Sequence, residues 1–223
     1  MPQIQMSPEV DTILETAENA LTEAACSDNL QTRRTIIEDA LRQAKRLEEI
    51  APDYFNTFHV QGVLWYHHPD KTSERSQQAK HYLIQALRLN PKSQLTIHYL
   101  GCIHFDEGDF SGALGYFSQT DRQYWETEGK RWRWLKAWEC QIVCKARMDI
   151  NCVSFCEIRE FTEACMRAHQ AEYADPAVPS EVWSFITSGY ARSHPEYARI
   201  RSHLEKFVED IDHGFLLSPY SHG

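Results

Sequence analysis

Glycine and proline are both scarce, nine of each in 223 residues. An all-β protein of this length turns too often to be built with so few of them. No stretch comes near the ~18 consecutive apolar residues that a membrane-spanning helix needs. At the N-terminus, Met1-Pro2-Gln3-Ile4-Gln5 supplies neither a basic start nor an apolar stretch, so no secretory leader is expected. Basic residues are short as well: 23 Lys and Arg stand against 32 Asp and Glu, a formal net charge of −9. That balance argues against general nucleic-acid binding, which needs a net or local basic surface to neutralise phosphates. Signatures of catalysis are missing too: there is no glycine-rich phosphate loop, no nucleophile elbow and no His-Glu-x-x-His helix. The expectation is a protein that is not an enzyme and uses no cofactor. Seven cysteines, an odd number spread through helical-looking sequence, do not frame short loops as a disulfide scaffold would. A reducing, cytoplasmic setting is therefore expected.

What is present is ordinary globular composition, 25% charged and 42% hydrophobic, which argues against disorder. Prolines stand at the edges of long helix-compatible stretches, at Pro8, Pro52, Pro69, Pro91, Pro176, Pro179 and Pro195. Between them the pattern predicts about ten helices. The first runs from about Ser7 to Ala25, with Ser7 as cap, Pro8 in the first turn and Glu9 suited to the helix dipole. The second covers about Leu30 to Ile50, with Ile36, Ala40, Leu41, Ala44 and Leu47 on one stripe. The others fall at about 53–67, 73–89, 93–106, 109–121, 126–148, 153–172, 180–192 and 195–212. Short links between helices of this length make antiparallel hairpins. The fold class expected is all-α, one helical domain over 1–214 followed by a C-terminal tail, 215–223, that caps the last helix or docks elsewhere.

Five hairpins invite a search for repetition. An alanine on the second helix of a hairpin is followed twelve residues later by proline: Ala40 and Pro52, Ala79 and Pro91, Ala164 and Pro176. Small or apolar residues recur four and seven positions after the alanine: Ala44 and Leu47, Leu83 and Ala86, Ala168 and Ala171. In the remaining unit, Ala113 is followed by Phe117 and Thr120, with Trp125 where proline is expected. An alanine lets two helices approach closely, and a proline stops the helix before the next hairpin.

The clearest unit reads Gln94-Leu95-Thr96-Ile97-His98-Tyr99-Leu100-Gly101, then Gly108-Asp109-Phe110-Ser111-Gly112-Ala113-Leu114, then Phe117. On these residues the chain resembles the tetratricopeptide repeat family, whose period of 34 residues separates Ala79 from Ala113. Leu100-Gly101 matches the family's helix-crossing pair, and Gly108-Asp109-Phe110 its turn into the second helix. The preceding unit fits with five residues inserted around Pro69-Asp70-Lys71, with Phe58, Gly62 and Trp65 on its first helix. The likeness is good over about residues 37–121. Outside them the steps from Ala40 to Ala79 and from Ala113 to Ala164 are 39 and 51 residues, not the family period.

The resemblance implies a helical-hairpin solenoid, a right-handed superhelix whose concave groove is lined by the first helix of each pair. It implies a scaffold or adaptor that accepts a peptide or helix of a partner protein, not a catalyst. Register then places Asn56, His59, Val63 and Tyr66 on one groove helix, and Leu95, His98, Cys102 and Phe105 on the next. Some family members hold the C-terminal carboxylate of heat-shock chaperones through lysine, asparagine and arginine. Here the corresponding places hold His59, Val63, Leu95, His98, Tyr99 and Cys102, so that ligand is not expected.

Two other readings attach to particular residues. Lys130, Arg131, Trp132, Arg133 and Lys136 form a basic and aromatic stripe, continued by Lys145 and Arg147, that suggests single-stranded RNA. On a helix, however, Trp134 and Trp138 share a face that Arg133 and Lys136 do not, as in an amphipathic helix with an aromatic seam and Trp132 left over. Cys140 and Cys144 lie one turn apart, as do Cys152 and Cys156, with a turn expected at Asp149-Ile150-Asn151 between the pairs. Folded back on each other, these helices would gather four thiolates for zinc or a redox pair. Zinc ligands usually sit closer, on a knuckle, and cysteine also packs well between close helices. His59 and His98 occupy equivalent places, with no Asp or Glu at ligand spacing beside them, so no metal is expected there.

Overall fold

Ser7 starts the first helix, α1 (Pro8–Cys26), as its side chain accepts the Val10 N–H and Pro8 follows at the first position. Val10, Ile13, Ala17, Ala20 and Ala24 recur every three to four residues and form its buried stripe. The computed structural model describes residues 7–172, 181, 182, 184 and 190–215. Among them lie eleven α-helices in an all-α chain, packed in sequential pairs, and no strand. No helix of the described residues is long and apolar enough to cross a membrane. By contacts the chain divides into two compact units, 1–103 and 104–223.

In the first unit, α2 (Leu30–Ala44) is capped by Asn29 and runs back along α1, where Arg46 pairs with Glu9. The single helix expected over 30–50 is broken. After Ala44 the bonds tighten to i→i+3, from Arg46 to Gln43 and from Glu48 to Lys45, before the short α3 (Leu47–Ile50). Next comes the antiparallel pair α4 (Phe55–His67) and α5 (Ser73–Leu89). They cross at Gly62, where an added Cβ would lie 2.5 Å from the Leu83 Cγ. The enlarged turn between them is fastened to α2. Arg34 binds the Asp70 carboxylate, and His68 faces Glu38 at 3.7 Å. Arg75, buried, donates to the Tyr66 carbonyl at 2.6 Å. The Arg34 guanidinium holds the Asp70 carboxyl below the usual range through their hydrogen bond. The inserted residues are thus a clasp. Helix α6 (Gln94–Asp106) contributes residues 94–103 to this unit.

In the second unit, α7 (Phe110–Phe117) is capped by Asp109, which also meets His104 at 2.7 Å. It stops short of the expected 121 because Asp121 caps a new helix, α8 (Arg122–Thr127), anchored by the buried Trp125. The expected long helix 126–148 is split as well. Gly129, at φ +66, takes the left-handed turn that favours glycine, and α9 (Arg131–Met148) begins after it. Helix α9 packs antiparallel to α7, where Gln141 donates to the Phe117 carbonyl at 3.0 Å. It packs also on α10 (Phe155–Glu172), through Lys145 and Glu157 at 2.7 Å and the ring contact of Trp138 with Phe161. The last helix, α11 (Tyr197–Phe215), lies along α10 with His203 on Thr162 and Glu196 on the Phe155 N–H. Most of the helix expected at 180–192, and the tail beyond Phe215, lie outside the described residues.

One titration follows from this packing. Burial lowers the His203 pKa from its usual value; Arg159 and Lys206 push the same way and Glu163 opposes. A depressed histidine stabilises the fold above its unfolded value, near 6.5, and that contribution is lost as pH falls through the folded value. Urea midpoints should therefore drop between pH 7.5 and 5.5, and His203→Gln should make that drop shallower. An unchanged slope in the variant would assign the loss to other groups.

Candidate functional site

Helices α4 and α6 lie side by side in the first unit, with residue numbers rising together along both. Near the start of α4, His59 Nδ1 meets Thr96 Oγ1 at 3.0 Å, and Thr96 is held by Ser93 Oγ at 2.8 Å. One to two turns on, the Tyr99 ring touches Tyr66 and His67, with centroids at 5.3 and 5.8 Å. His67 Nε2 lies 3.3 Å from the Tyr99 hydroxyl. Phe55 stacks on His59 at 5.1 Å, and Asn56 donates to the Tyr54 hydroxyl at 2.9 Å. The result is a row of rings and imidazoles joined by hydroxyls.

Of the eight residues placed in the groove by register, Asn56, His59, Tyr66, Leu95 and Cys102 are half-buried on these two helices. Val63 and His98 are instead buried, at 5% and 4% exposure. Phe105 falls in the second unit, where its ring meets Phe110 at 5.9 Å and packs against the apolar core. Thr96 and Tyr99 are the α6 residues that make these contacts with α4. Register counting set Tyr99 at a clamp place but not in the groove, and passed over Thr96, because neighbouring helices pack with a stagger and equivalent repeat positions are not opposite one another. Their spacing of three residues, which places them on one face, was the available signal.

The basic stripe in the second unit is occupied from within. Lys136 reaches Glu139 at 2.9 Å and Glu181 at 3.5 Å, and Arg131 lies 3.7 Å from Glu126. Arg133 lies over the Trp132 and Trp125 rings, at 4.6 and 5.7 Å from their centroids. Further on, Arg147 lies over Phe110. Trp134 and Trp138 form the expected seam, with centroids 5.2 Å apart, and Trp132 is 45% exposed beside the exposed Lys130. Cations already held by carboxylates and indole faces offer phosphates little unspent charge.

Beneath the stripe lies a buried carboxylate that pattern reading missed. Glu139, 2% exposed, accepts the Glu181 and Val182 N–H groups at 2.8 and 3.1 Å and Lys136 through its other oxygen. Burial raises its pKa, although Lys136 and the two N–H groups work the other way. Lys136 is raised too, because the carboxylates of Glu139 and Glu181 outweigh its own desolvation. An acid placed among apolar neighbours on an amphipathic helix was the clue.

The four paired cysteines do not gather. Cys140 and Cys144 are buried, whereas Cys152 and Cys156 are exposed at the start of the next hairpin arm. Burial pushes the Cys144 thiol up to about 12, with the Asp109 charge adding to it. A thiol so shifted is a packing group, since thiolate is the form that reacts or binds metal. Among the described residues no group of three or more His, Cys, Asp or Glu side chains is placed to hold a metal ion. Set against known proteins, the chain matches no family model, no curated protein and no solved structure.

Proposed function

We propose that this protein is a non-catalytic interaction module of tetratricopeptide-like helical hairpins. In this reading it binds an extended peptide or a helix of a partner protein along the α4–α6 face, as a scaffold or adaptor. The observation that carries the reading is the parallel pair α4 and α6, which presents Asn56, His59, Tyr66, Leu95 and Cys102 half-exposed on one unit. Stacked hairpins bring equivalent helices together at an offset of about one repeat. Side-chain contacts of this kind recur within the first unit at offsets of 34, 36 and 37 residues, through Tyr82 and Glu48, Arg34 and Asp70, and His59 and Thr96. In the second unit the offset is 41, through Thr162 and His203 and through Val153 and His194. Half-buried rings with fixed polar edges suit a partner of mixed apolar and polar character. The internal pairing of Arg131, Arg133, Lys136, Lys145 and Arg147 and the scattering of the cysteines give no comparable support to an RNA-binding or a zinc or redox reading.

Peptides selected from a displayed random library on the full chain provide the test. The double variant His59→Glu with Leu95→Glu should weaken the selected peptides at least tenfold while leaving the circular dichroism and melting temperature unchanged. Undiminished binding, or peptides whose binding depends only on Trp132 and Arg133, would overturn the assignment of this face. Substituting His98 is no substitute for these changes, because a charge at that buried place would act on folding.

A further inference from the structure

Two turns of the chain carry the same three-residue pattern, His68-Pro69-Asp70 before α5 and His194-Pro195-Glu196 before α11. Both histidines are buried, at 6% and 8% exposure. In both, the ring Nδ1 accepts the backbone N–H of the acid two residues on, at 3.2 Å from Asp70 and 3.0 Å from Glu196. The proline between them has no N–H to compete for that acceptor and restricts the backbone of the turn. Each acid ties its turn to an earlier helix: Asp70 binds Arg34 on α2, and Glu196 accepts the Phe155 N–H at the start of α10. The same arrangement thus fastens one turn in each unit.

The two rings differ at Nε2. His68 Nε2 lies 3.7 Å from the Glu38 carboxylate, at a turn that also gathers Asp70, Arg34 and Arg75. His194 Nε2 instead lies 2.7 Å from the Val153 carbonyl. A carbonyl only accepts, so this nitrogen carries the proton, and Nδ1, which accepts from Glu196, carries none. His194 is therefore held as the neutral Nε2–H tautomer with both nitrogens engaged. Its ring forms part of the wall of a small apolar cavity, about 10 Å³, with Ile142, Val143, Val153, Ile158 and Ile200. Among the described residues that wall holds no charged side chain, and Tyr197 is its one other titratable group. The carboxylate two residues on, that of Glu196, is already engaged by the Phe155 N–H and by Arg199.

We propose that His194 is an acid-sensitive latch between α10 and α11. Taking up a proton releases the turn 194–196 from residues 153–155 and uncovers the apolar centre of the second unit. A proton on Nδ1 points at the Glu196 N–H, so the bond that closes the turn becomes two opposed donors. The ring then leaves the turn, giving up Val153, or draws in the Glu196 carboxylate, which gives up Phe155. By either route one link from the turn to the start of α10 is lost. Histidine is the side chain whose ordinary titration, at about pH 6.5, falls in mild acid. At His68 the same event sets the new charge opposite Glu38, and Asp70 keeps Arg34, so that turn stays on α2. The latch does not rest on the α4–α6 face.

Nuclear magnetic resonance of the 15N-labelled full chain provides the test. At pH 7.5 the His194 ring should show the Nε2–H tautomer. On acidification to pH 5.5 the Glu196 amide proton should move upfield in step with protonation of that ring, and the fluorescence of the apolar dye anilinonaphthalene sulfonate should rise at least fivefold. In His194→Asn the side-chain oxygen keeps accepting the Glu196 N–H at either pH, so both changes should vanish. They should persist in His68→Asn and in His203→Gln, which separates the latch from the other turn and from the histidine that touches Phe155. If His194→Asn does not fold, the ring and amide signals of the unaltered chain decide alone. A His194 ring already charged at pH 7.5 or still neutral at pH 5.5, a ring that titrates with the Glu196 amide unmoved, or a dye response retained in folded His194→Asn would overturn the proposal.

Discussion

Replacing Glu139 by alanine should lower stability by about 3–5 kcal/mol, the loss typical of breaking a buried, hydrogen-bonded ion pair. One side chain serves three donors here: the Glu181 and Val182 N–H groups and the Lys136 ammonium. Alanine leaves one buried and one part-buried backbone donor without that acceptor and removes the nearer of two carboxylates from a half-buried lysine. Glutamine keeps an acceptor for the backbone, so Glu139→Gln should lose much less. The two variants should also differ in pH dependence. Because burial raises the Glu139 pKa, proton binding favours the folded state. Its stabilising contribution is fully present below the unfolded value and is lost as pH rises through the folded one. Glu139→Gln should remove that component, which runs opposite to the one assigned to His203. Urea unfolding followed by tryptophan fluorescence measures both, since five of the six tryptophans lie between 125 and 183. A loss in Glu139→Ala no larger than in Glu139→Gln would mean that the backbone donors find water.

Leucine in place of Gly62 is expected to cost about 3 kcal/mol, at the upper end for overpacking. Alanine at the same place separates two effects of opposite sign. In a helix interior, Gly→Ala ordinarily stabilises by roughly 0.5–1 kcal/mol. At Gly62 the new Cβ would sit 2.5 Å from the Leu83 Cγ and 3.1 Å from the Leu83 backbone nitrogen, so α4 and α5 would have to move apart. The clash should outweigh the propensity gain, and Gly62→Ala should lower the urea midpoint measured by far-ultraviolet circular dichroism. Pairing Gly62→Ala with Leu83→Ala should recover part of its loss relative to Leu83→Ala alone. A midpoint raised by Gly62→Ala would show that α4 and α5 are not pressed together at this point.

Helix formation was largely legible from local signals. Ser7, Asn29, Thr72, Asp109 and Asp121 each cap a helix through a side-chain oxygen. The alanines chosen for their spacing, Ala40, Ala79, Ala113 and Ala164, are all buried. The breaks near Lys45 and Gly129 were less legible, because apolar periodicity runs on across a kink and does not record a change of direction. The same limit applies at the α4–α6 face. Periodicity finds the side of a helix that avoids water, but it does not say whether a residue at its margin meets solvent or a neighbour. Val63 and His98 are covered, whereas His59 and Tyr66 are not.

The amino-acid sequence by itself determined an all-helical chain, where most helices begin, and which small residues let them approach. These depend on caps, spacing and side-chain volume within a few turns. Tertiary packing alone decided that Thr96 and Tyr99 meet α4 and that Glu139 is sealed beside two backbone N–H groups. Each of those outcomes depends on the stagger between helices, which arises from how side chains on separate elements interlock and has no counterpart in the order of residues along one helix.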